Sequence, residues 1–255
     1  MQPAGGVCFV VGAGSGIGRA AARRWAAAGG IVAAVDVNEA GLAETAEGRP
    51  GIHVRWLDVT DPEGVALAVK EIESQLGPIE RVYSGAAIQP TSLLLQQDVH
   101  EIHRVMQNNY GGLVNVSLAV LPAMLARGRG VLINFASIAG WIPSLHFGAY
   151  NASKFASVAF TEVLHHENRG KGVQILCVCP GGVDTPLRAQ GLSKPRILET
   201  GPKPQSPESV LDAIERAIGS NQLFVFARWQ TRAGYWLRRL LPGVMWRIDH
   251  RTEGF

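Results

Sequence analysis

Short runs of Val, Ile, Ala and Phe return seven times along this chain, at about residues 7–11, 31–35, 52–57, 79–84, 130–136, 172–178 and 223–226. Several are apolar throughout rather than alternating, the pattern of strands covered on both faces. Helix-period stretches lie between them near 16–28, 39–47, 62–76, 98–125, 149–169 and 207–219. Such alternation predicts βαβ units with right-handed crossovers, hence an α/β fold whose parallel sheet carries helices on both faces. With 255 residues, 47% of them hydrophobic and 18% charged, the chain can fill one large core and lacks the composition of a disordered one. No apolar run is expected to reach the ~18 residues of a membrane span. No charged leader with a cleavage site opens the sequence, so a cytoplasmic protein is expected. Cys8, Cys177 and Cys179 lie in apolar runs. The last two share a strand face, a spacing that suits neither a metal site nor a disulfide, so reduced buried thiols are expected.

The first strand runs straight into Gly12-Ala-Gly-Ser-Gly-Ile-Gly18, and an alanine-rich helix follows. A glycine turn at a helix N-terminus lets backbone N–H groups approach a pyrophosphate, where the helix dipole also favours negative charge. Between a strand and a helix in a βαβ chain, Gly12, Gly14, Ser15, Gly16, Ile17 and Gly18 point to dinucleotide binding. The second strand ends in Asp36, where a carboxylate can accept hydrogen bonds from both adenosine ribose hydroxyls. A 2′-phosphate would meet it as a like charge, at ~5 Å and an effective dielectric of ~20 a repulsion of about 3 kcal/mol per charge pair. Ser15 and Val37 supply no counter-ion, so NAD is expected and NADP disfavoured.

Tyr150-Asn-Ala-Ser-Lys154 opens a helical run, and positions i and i+4 share a helix face. An unperturbed phenol, with a pKa near ~10, is almost wholly protonated at neutral pH. A neighbouring ammonium favours phenolate and would make Tyr150 a proton acceptor for an alcohol, or a donor to a carbonyl. Ser137 ends a strand thirteen positions earlier, at the edge where α/β sheets place ligands, and can donate a hydrogen bond to a substrate oxygen.

With these marks, and with Asp58 in Leu57-Asp-Val-Thr60, Asn109-Tyr-Gly-Gly112 and Pro180-Gly-Gly-Val-Asp-Thr185, nearly the whole chain resembles the short-chain dehydrogenase/reductase family. The resemblance implies a Rossmann-type, doubly wound parallel sheet of about seven strands. It implies Tyr150 as catalytic acid/base, Ser137 as the residue that orients the substrate oxygen, and Lys154 binding the nicotinamide ribose while lowering the tyrosine's pKa. Asn109 would anchor a water that relays protons through Lys154. Asp58 and Val59 would contact the adenine, and Pro180, Gly181, Val183 and Thr185 would border the nicotinamide. Two departures stand out: Val11 where the family usually has threonine, and Ser84-Gly85-Ala86-Ala87 where it usually has an asparagine-rich turn, though Ser84, Gly85 and Ala86 would still contact the cofactor. Dimers or tetramers through the helix bearing Tyr150 are implied as well.

Ile88-Gln89-Pro90, Trp141-Ile142-Pro143, Leu145-His146-Phe147 and Leu187 are the expected substrate walls. Mostly apolar and without a placed arginine, they predict a hydrophobic alcohol/ketone pair. Residues 186–207, rich in Pro and Gly, are expected to form a lid within a domain covering 1–227. Residues 228–255 form a basic extension, with six arginines against Asp249 and Glu253, a net +4 that leaves 18 basic and 19 acidic residues before it. The body therefore offers no electrostatic reason to expect nucleic acid. In the extension Trp236, Leu237, Leu240, Leu241, Val244, Met245 and Ile248 recur every three to four residues, interrupted by Pro242. This amphipathic stretch would pack on the body or an interface, or contact an anionic membrane. His100 with His103, and His165 with His166, lack a third ligand at recognisable spacing, so no metal is expected. Trp25 and Trp56 read as packing residues. Against an NAD-dependent dehydrogenase stand an NADPH-dependent ketoreductase of the same fold and a nucleotide-sensing protein without turnover.

Overall fold

A computed structural model describes residues 6–191 and 193–255. Residues 1–5, at the start of the expected domain, and Leu192, within the expected lid, lie outside the described residues. The elements follow one another as β1 (Val7–Val11), α1 (Gly16–Ala27), β2 (Ile31–Asp36), α2 (Glu39–Ala46), β3 (Ile52–Trp56), α3 (Pro62–Leu76) and β4 (Ile79–Ser84). After these come α4 (Val99–Met106), α5 (Gly112–Arg127), β5 (Gly130–Phe135), α6 (Gly148–Glu167), β6 (Val173–Val178), α7 (Ile197–Thr200), α8 (Pro207–Ala217), β7 (Phe224–Val225), α9 (Trp229–Leu240) and α10 (Pro242–Glu253). The strands form one parallel sheet in the order β3-β2-β1-β4-β5-β6-β7. The order reverses beside β1, which makes the crevice at the carboxyl ends of β1 and β4 the natural ligand position.

Alternate residues of β1 enter opposite cores, which explains its unbroken apolar run. Cys8 and Val10 pack with Ala22, Trp25, Leu211 and Ile214 of α1 and α8. Val7, Phe9 and Val11 pack with Val65, Ile72, Val116 and Met124 of α3 and α5. Asn38, Asp61, Asp98 and Ser206 cap α2, α3, α4 and α8 with their side chains, and Pro62 and Pro207 stand where a missing N–H costs nothing.

Three expectations need correction. The stretch read as one helix over 98–125 is α4 and α5 joined by a π-helical turn at Gln107–Gly111. Together they make a helix of 29 residues, Val99–Arg127, long and apolar enough by length and composition to span a membrane, contrary to the sequence expectation. Here Val105, Val116, Val120 and Met124 are buried, and the buried Asn109 and Ser117 find side-chain partners within the fold. Trp25 is buried, with the Arg81 guanidinium 4.7 Å from its ring, but Trp56 is half exposed, because β3 is an edge strand with one open face. The basic extension splits at Pro242 into α9 and α10, as its sequence indicates.

Candidate active site

The glycine turn owes its shape to two residues that only glycine suits. Gly12 (φ 82°) and Gly16 (φ 52°) adopt left-handed backbone, and a Cβ on Gly12 would lie 2.8 Å from the Ala86 nitrogen. Ser15 stands at the N-cap of α1 without a side-chain hydrogen bond, and no acid occupies that first turn. An uncapped N-terminus facing a cavity leaves donors for a phosphate group. Asp36 Oδ2 accepts from Gly14 N and Oδ1 from Asn38 N, both at 2.9 Å, so its carboxylate is fixed beside the turn.

A cavity of about 1510 Å³ runs from this turn across the ends of β1, β4, β5 and β6. That exceeds the ~1,000 Å³ upper range of single-ligand pockets. Gly12, Gly14, Ser15, Gly16, Ile17, Gly18, Asp36, Val59, Gly85, Ala86, Ser137, Tyr150, Lys154, Pro180, Gly181, Val183 and Thr185 all line it. Asp58, Ser84 and Asn109 do not. Asp58 Oδ1 accepts from Thr60 N and Oγ1 (2.9 and 2.8 Å), and Ser84 is buried at the end of β4. The Asn109 amide accepts from Ile88 N at 2.8 Å and donates to Ile88 O and Ser153 Oγ at 2.9 and 3.0 Å. Its side chain therefore clamps the strand-end loop that lacks the usual asparagines.

Ser137 closes β5, and its Oγ accepts from Ala139 N at 3.1 Å. Tyr150, in the first turn of α6, is buried. Burial pushes its phenol up to about 12, with a hydrogen bond to Ser137 pulling the other way. Lys154 Nζ donates to Phe135 O at 2.8 Å and lies 5.7 Å from the Tyr150 ring centroid. Burial brings its amine down to about 8. Desolvation is the largest influence on both groups, raising the phenol and lowering the amine.

Among the expected walls, Ile88, Gln89, Ile142, Phe147 and Leu187 border the cavity, whereas Pro90, Trp141, Pro143, Leu145 and His146 do not. Trp141 turns away to meet Phe224 and Tyr235 edge-on, at centroid distances of 5.1 and 4.7 Å, and donates to Cys179 Sγ at 3.4 Å. Sequence reasoning missed several residues that shape the site. Asn151 Nδ2 donates to Ala139 O and Ile142 O, and its Oδ1 accepts from Ser144 N, which fastens the substrate-side loop to α6. Asp249 of α10 accepts from Leu145 N at 2.8 Å, and Glu253 accepts from Arg196 N and Ile197 N, both at 2.9 Å. One short helix thus holds the 141–147 loop and the 186–207 segment together. No local signal announces these bonds, because Asp249 and Leu145 are 104 positions apart. Arg19 also lines the cavity, pairs with Glu44 at 2.8 Å and donates to Gly14 O, a cation beside the turn that the sequence reading did not count.

Residues 6–195 match the family model for short chain dehydrogenases. The chain is 34% identical over 233 residues to 1-deoxy-11-beta-hydroxypentalenate dehydrogenase of Streptomyces exfoliatus, covering 88% of this chain and 83% of that one. It is 35% identical over 188 residues to an NAD(+)-dependent 2-dehydro-3-deoxy-L-rhamnonate dehydrogenase of Sphingomonas sp., covering 73% and 76%. In fold it is similar to a short-chain dehydrogenase/reductase from Burkholderia phymatum crystallised with NAD, with a TM-score of 0.84, 24% identity and 96% of each chain covered. A variant of actinorhodin polyketide ketoreductase with NADPH gives a TM-score of 0.78 and 27% identity, covering 87% of this chain and 95% of that one.

Proposed function

The chain belongs to the short-chain dehydrogenase/reductase family of oxidoreductases acting on CH–OH groups, and from that premise we propose that it interconverts a hydrophobic secondary alcohol and its ketone with NAD. The observation that carries the reading is Ser137, Tyr150 and Lys154 lining one end of a cavity whose other end is the glycine turn and Asp36. Once bound between these ends, the nicotinamide supplies the two-electron exchange with the carbinol carbon.

In the reducing direction Ser137 donates to the carbonyl oxygen and holds it beside Tyr150, whose protonated phenol delivers the proton. In the oxidising direction the same phenol oxygen must first lose its proton, so the raised value near 12 makes alcohol oxidation the more base-dependent direction. Lys154, with its amine near 8, can both hold and release a proton close to neutral pH and so restore the phenol after each turnover. Ile142, Phe147 and Leu187 present apolar surface to the substrate, and residues 186–207 serve as the lid that excludes water. A cytoplasmic homodimer or homotetramer belongs to the same proposal, supported by exposed Phe155 and Val163 on α6 and Leu118 on α5.

The cofactor assignment rests on Asp36, whose carboxylate is fixed beside the glycine turn and would meet a 2′-phosphate as a like charge. Arg19 favours a second reading, NADPH, but its charge is engaged by Glu44 and Gly14 O. A panel of apolar alcohols and ketones assayed with NAD(H) and NADP(H) by nicotinamide absorbance tests both. Activity is expected with NAD(H), and a strong preference for NADPH overturns the role given to Asp36. Tyr150→Phe is expected to cut turnover by roughly a thousandfold or more while cofactor Kd stays within about twofold; full activity in this variant would refute the proposed chemistry.

A further inference from the structure

The two faces of α9 differ sharply. Thr231, Gly234 and Tyr235 look inward: Thr231 and Gly234 line the cavity, and Tyr235 meets Trp141 edge-on and lies against Phe226 at 5.9 Å. Outward, Trp229, Ala233, Trp236 and Leu240 follow each other at helical spacing, and the three large side chains are 75%, 49% and 72% exposed. Leu241 at the corner and Ile248 on α10 are each about half exposed as well. Arg232 and Arg239 run along one border of the strip, and Arg247 and Arg251 are exposed on α10. None of these four arginines makes an ion pair among the described residues. The segregation has a structural cause. Both acids of the extension, Asp249 and Glu253, turn inward onto backbone N–H groups of the 145 and 196–197 loops. The outward surface therefore keeps its positive charge while the rest of the chain is close to neutral.

We propose that this face docks on an anionic lipid bilayer, with Trp229, Trp236, Leu240 and Leu241 in the headgroup–acyl boundary and the arginines against lipid phosphates. Tryptophan and leucine beside arginines without an acidic partner match the amphipathic composition of interfacial helices, and each exposed cation adds attraction to a negative surface. A second copy fits the face poorly, because it would bring its own arginines and no outward-facing acid of the extension to pair with them. The strip is one helix wide and anchored from behind, so it lies on a membrane rather than crossing it. The proposal stands on this surface alone, whatever the cavity takes.

The test is co-sedimentation of the full chain with vesicles of pure phosphatidylcholine and of phosphatidylcholine mixed with phosphatidylglycerol, at low and high salt. The protein is expected to pellet with the phosphatidylglycerol vesicles, to be released by salt, and to show blue-shifted tryptophan emission when bound. Trp236→Ser with Leu240→Ser, and separately Arg232→Glu with Arg239→Glu, are each expected to weaken partitioning by roughly tenfold or more. Their thermal midpoints should stay within a few degrees of the parent protein, the only packing at risk among the described residues being the edge contact of Trp236 and the hydrogen bond of Arg239 with Tyr235. Protein left in the supernatant with anionic vesicles overturns the proposal, as does equal binding to both compositions or parent-like binding by both variants. A concentration-dependent dimer lost in Trp236→Ser/Leu240→Ser, without vesicle binding, would assign the face to a second copy instead.

Discussion

The two ends of the cavity are built in different ways. At the cofactor end the backbone does most of the positioning: Gly12 and Gly16 hold the turn, a wholly buried β1 supports it, and Asp36 is fixed by two main-chain donors. At the substrate end a few side-chain bonds hold the loops: Asp249 on Leu145, Glu253 on Arg196 and Ile197, and Asn151 on the 139–144 loop. Much of α9 and α10, which roof that end, faces solvent. A backbone-built cradle tolerates little change, whereas a roof fastened by single hydrogen bonds can vary without harming the cradle. One fold can therefore keep its cofactor chemistry while its substrate wall is replaced.

That contrast breaks most visibly at Gly18. A Cβ there would overlap the Gly12 carbonyl, where α1 packs against the turn. Gly18→Ala is expected to cost about 2–3 kcal/mol of stability and to weaken NAD binding by roughly tenfold or more, measured by thermal melts and calorimetric titration. Near-normal cofactor affinity in this variant would mean the cradle is softer than its geometry indicates.

At the roof the expected effect is smaller and falls on a different parameter. Asp249→Ala with Glu253→Ala leaves three backbone N–H groups without their carboxylate acceptors, at about 1 kcal/mol or more each if they stay dry. Steady-state kinetics should show substrate KM raised by roughly three- to tenfold, with kcat and the KM for cofactor within about twofold. A fall in kcat with unchanged KM would place the roof in the chemical step and erase the distinction.

Lys154, between the two ends, sharpens the comparison with the smallest change. Burial lowers its amine from 10.5 to about 8, so below pH 8 the folded protein holds an ammonium at a cost of about 3 kcal/mol. The unfolded chain keeps that proton up to 10.5, so this group's contribution to stability rises as pH climbs from 8 to 10.5. Lys154→Met removes the cost and leaves the Phe135 carbonyl unpaired, a loss of about 1–2 kcal/mol. Thermal melts at pH 7 should show a gain on the order of 1 kcal/mol, fading and reversing towards pH 10.5, together with lost turnover. A gain independent of pH would show that the amine is not desolvated.

The cradle was also the more legible half. Runs rich in Val, Ile and Phe located all seven strands; β1, buried on both faces, is apolar throughout, whereas the edge strand β3 keeps His53 and Arg55 among its apolar residues. The spacing of Tyr150 and Lys154 predicted a shared helix face, which α6 supplies. Proximity of an ammonium to a phenol is visible in sequence, while the desolvation that raises the phenol and lowers the amine is not. Trp141 was expected as a wall and Trp56 as core, yet one turns towards Tyr235 and the other lies on an open edge strand. An aromatic residue declares that it buries area, not where.

The amino-acid order alone settled which segments are strands and helices, where the backbone needs glycine, and which polar groups can meet one turn apart, since these follow from local sterics and periodicity. Tertiary structure alone decided that Asp249 and Glu253 face inward while their neighbouring arginines face out, that Asn109 clamps a loop, and that Lys154 is stripped of water. Those outcomes depend on surfaces brought together from distant parts of the chain, and hydration and charge pairing are properties of the assembled surroundings.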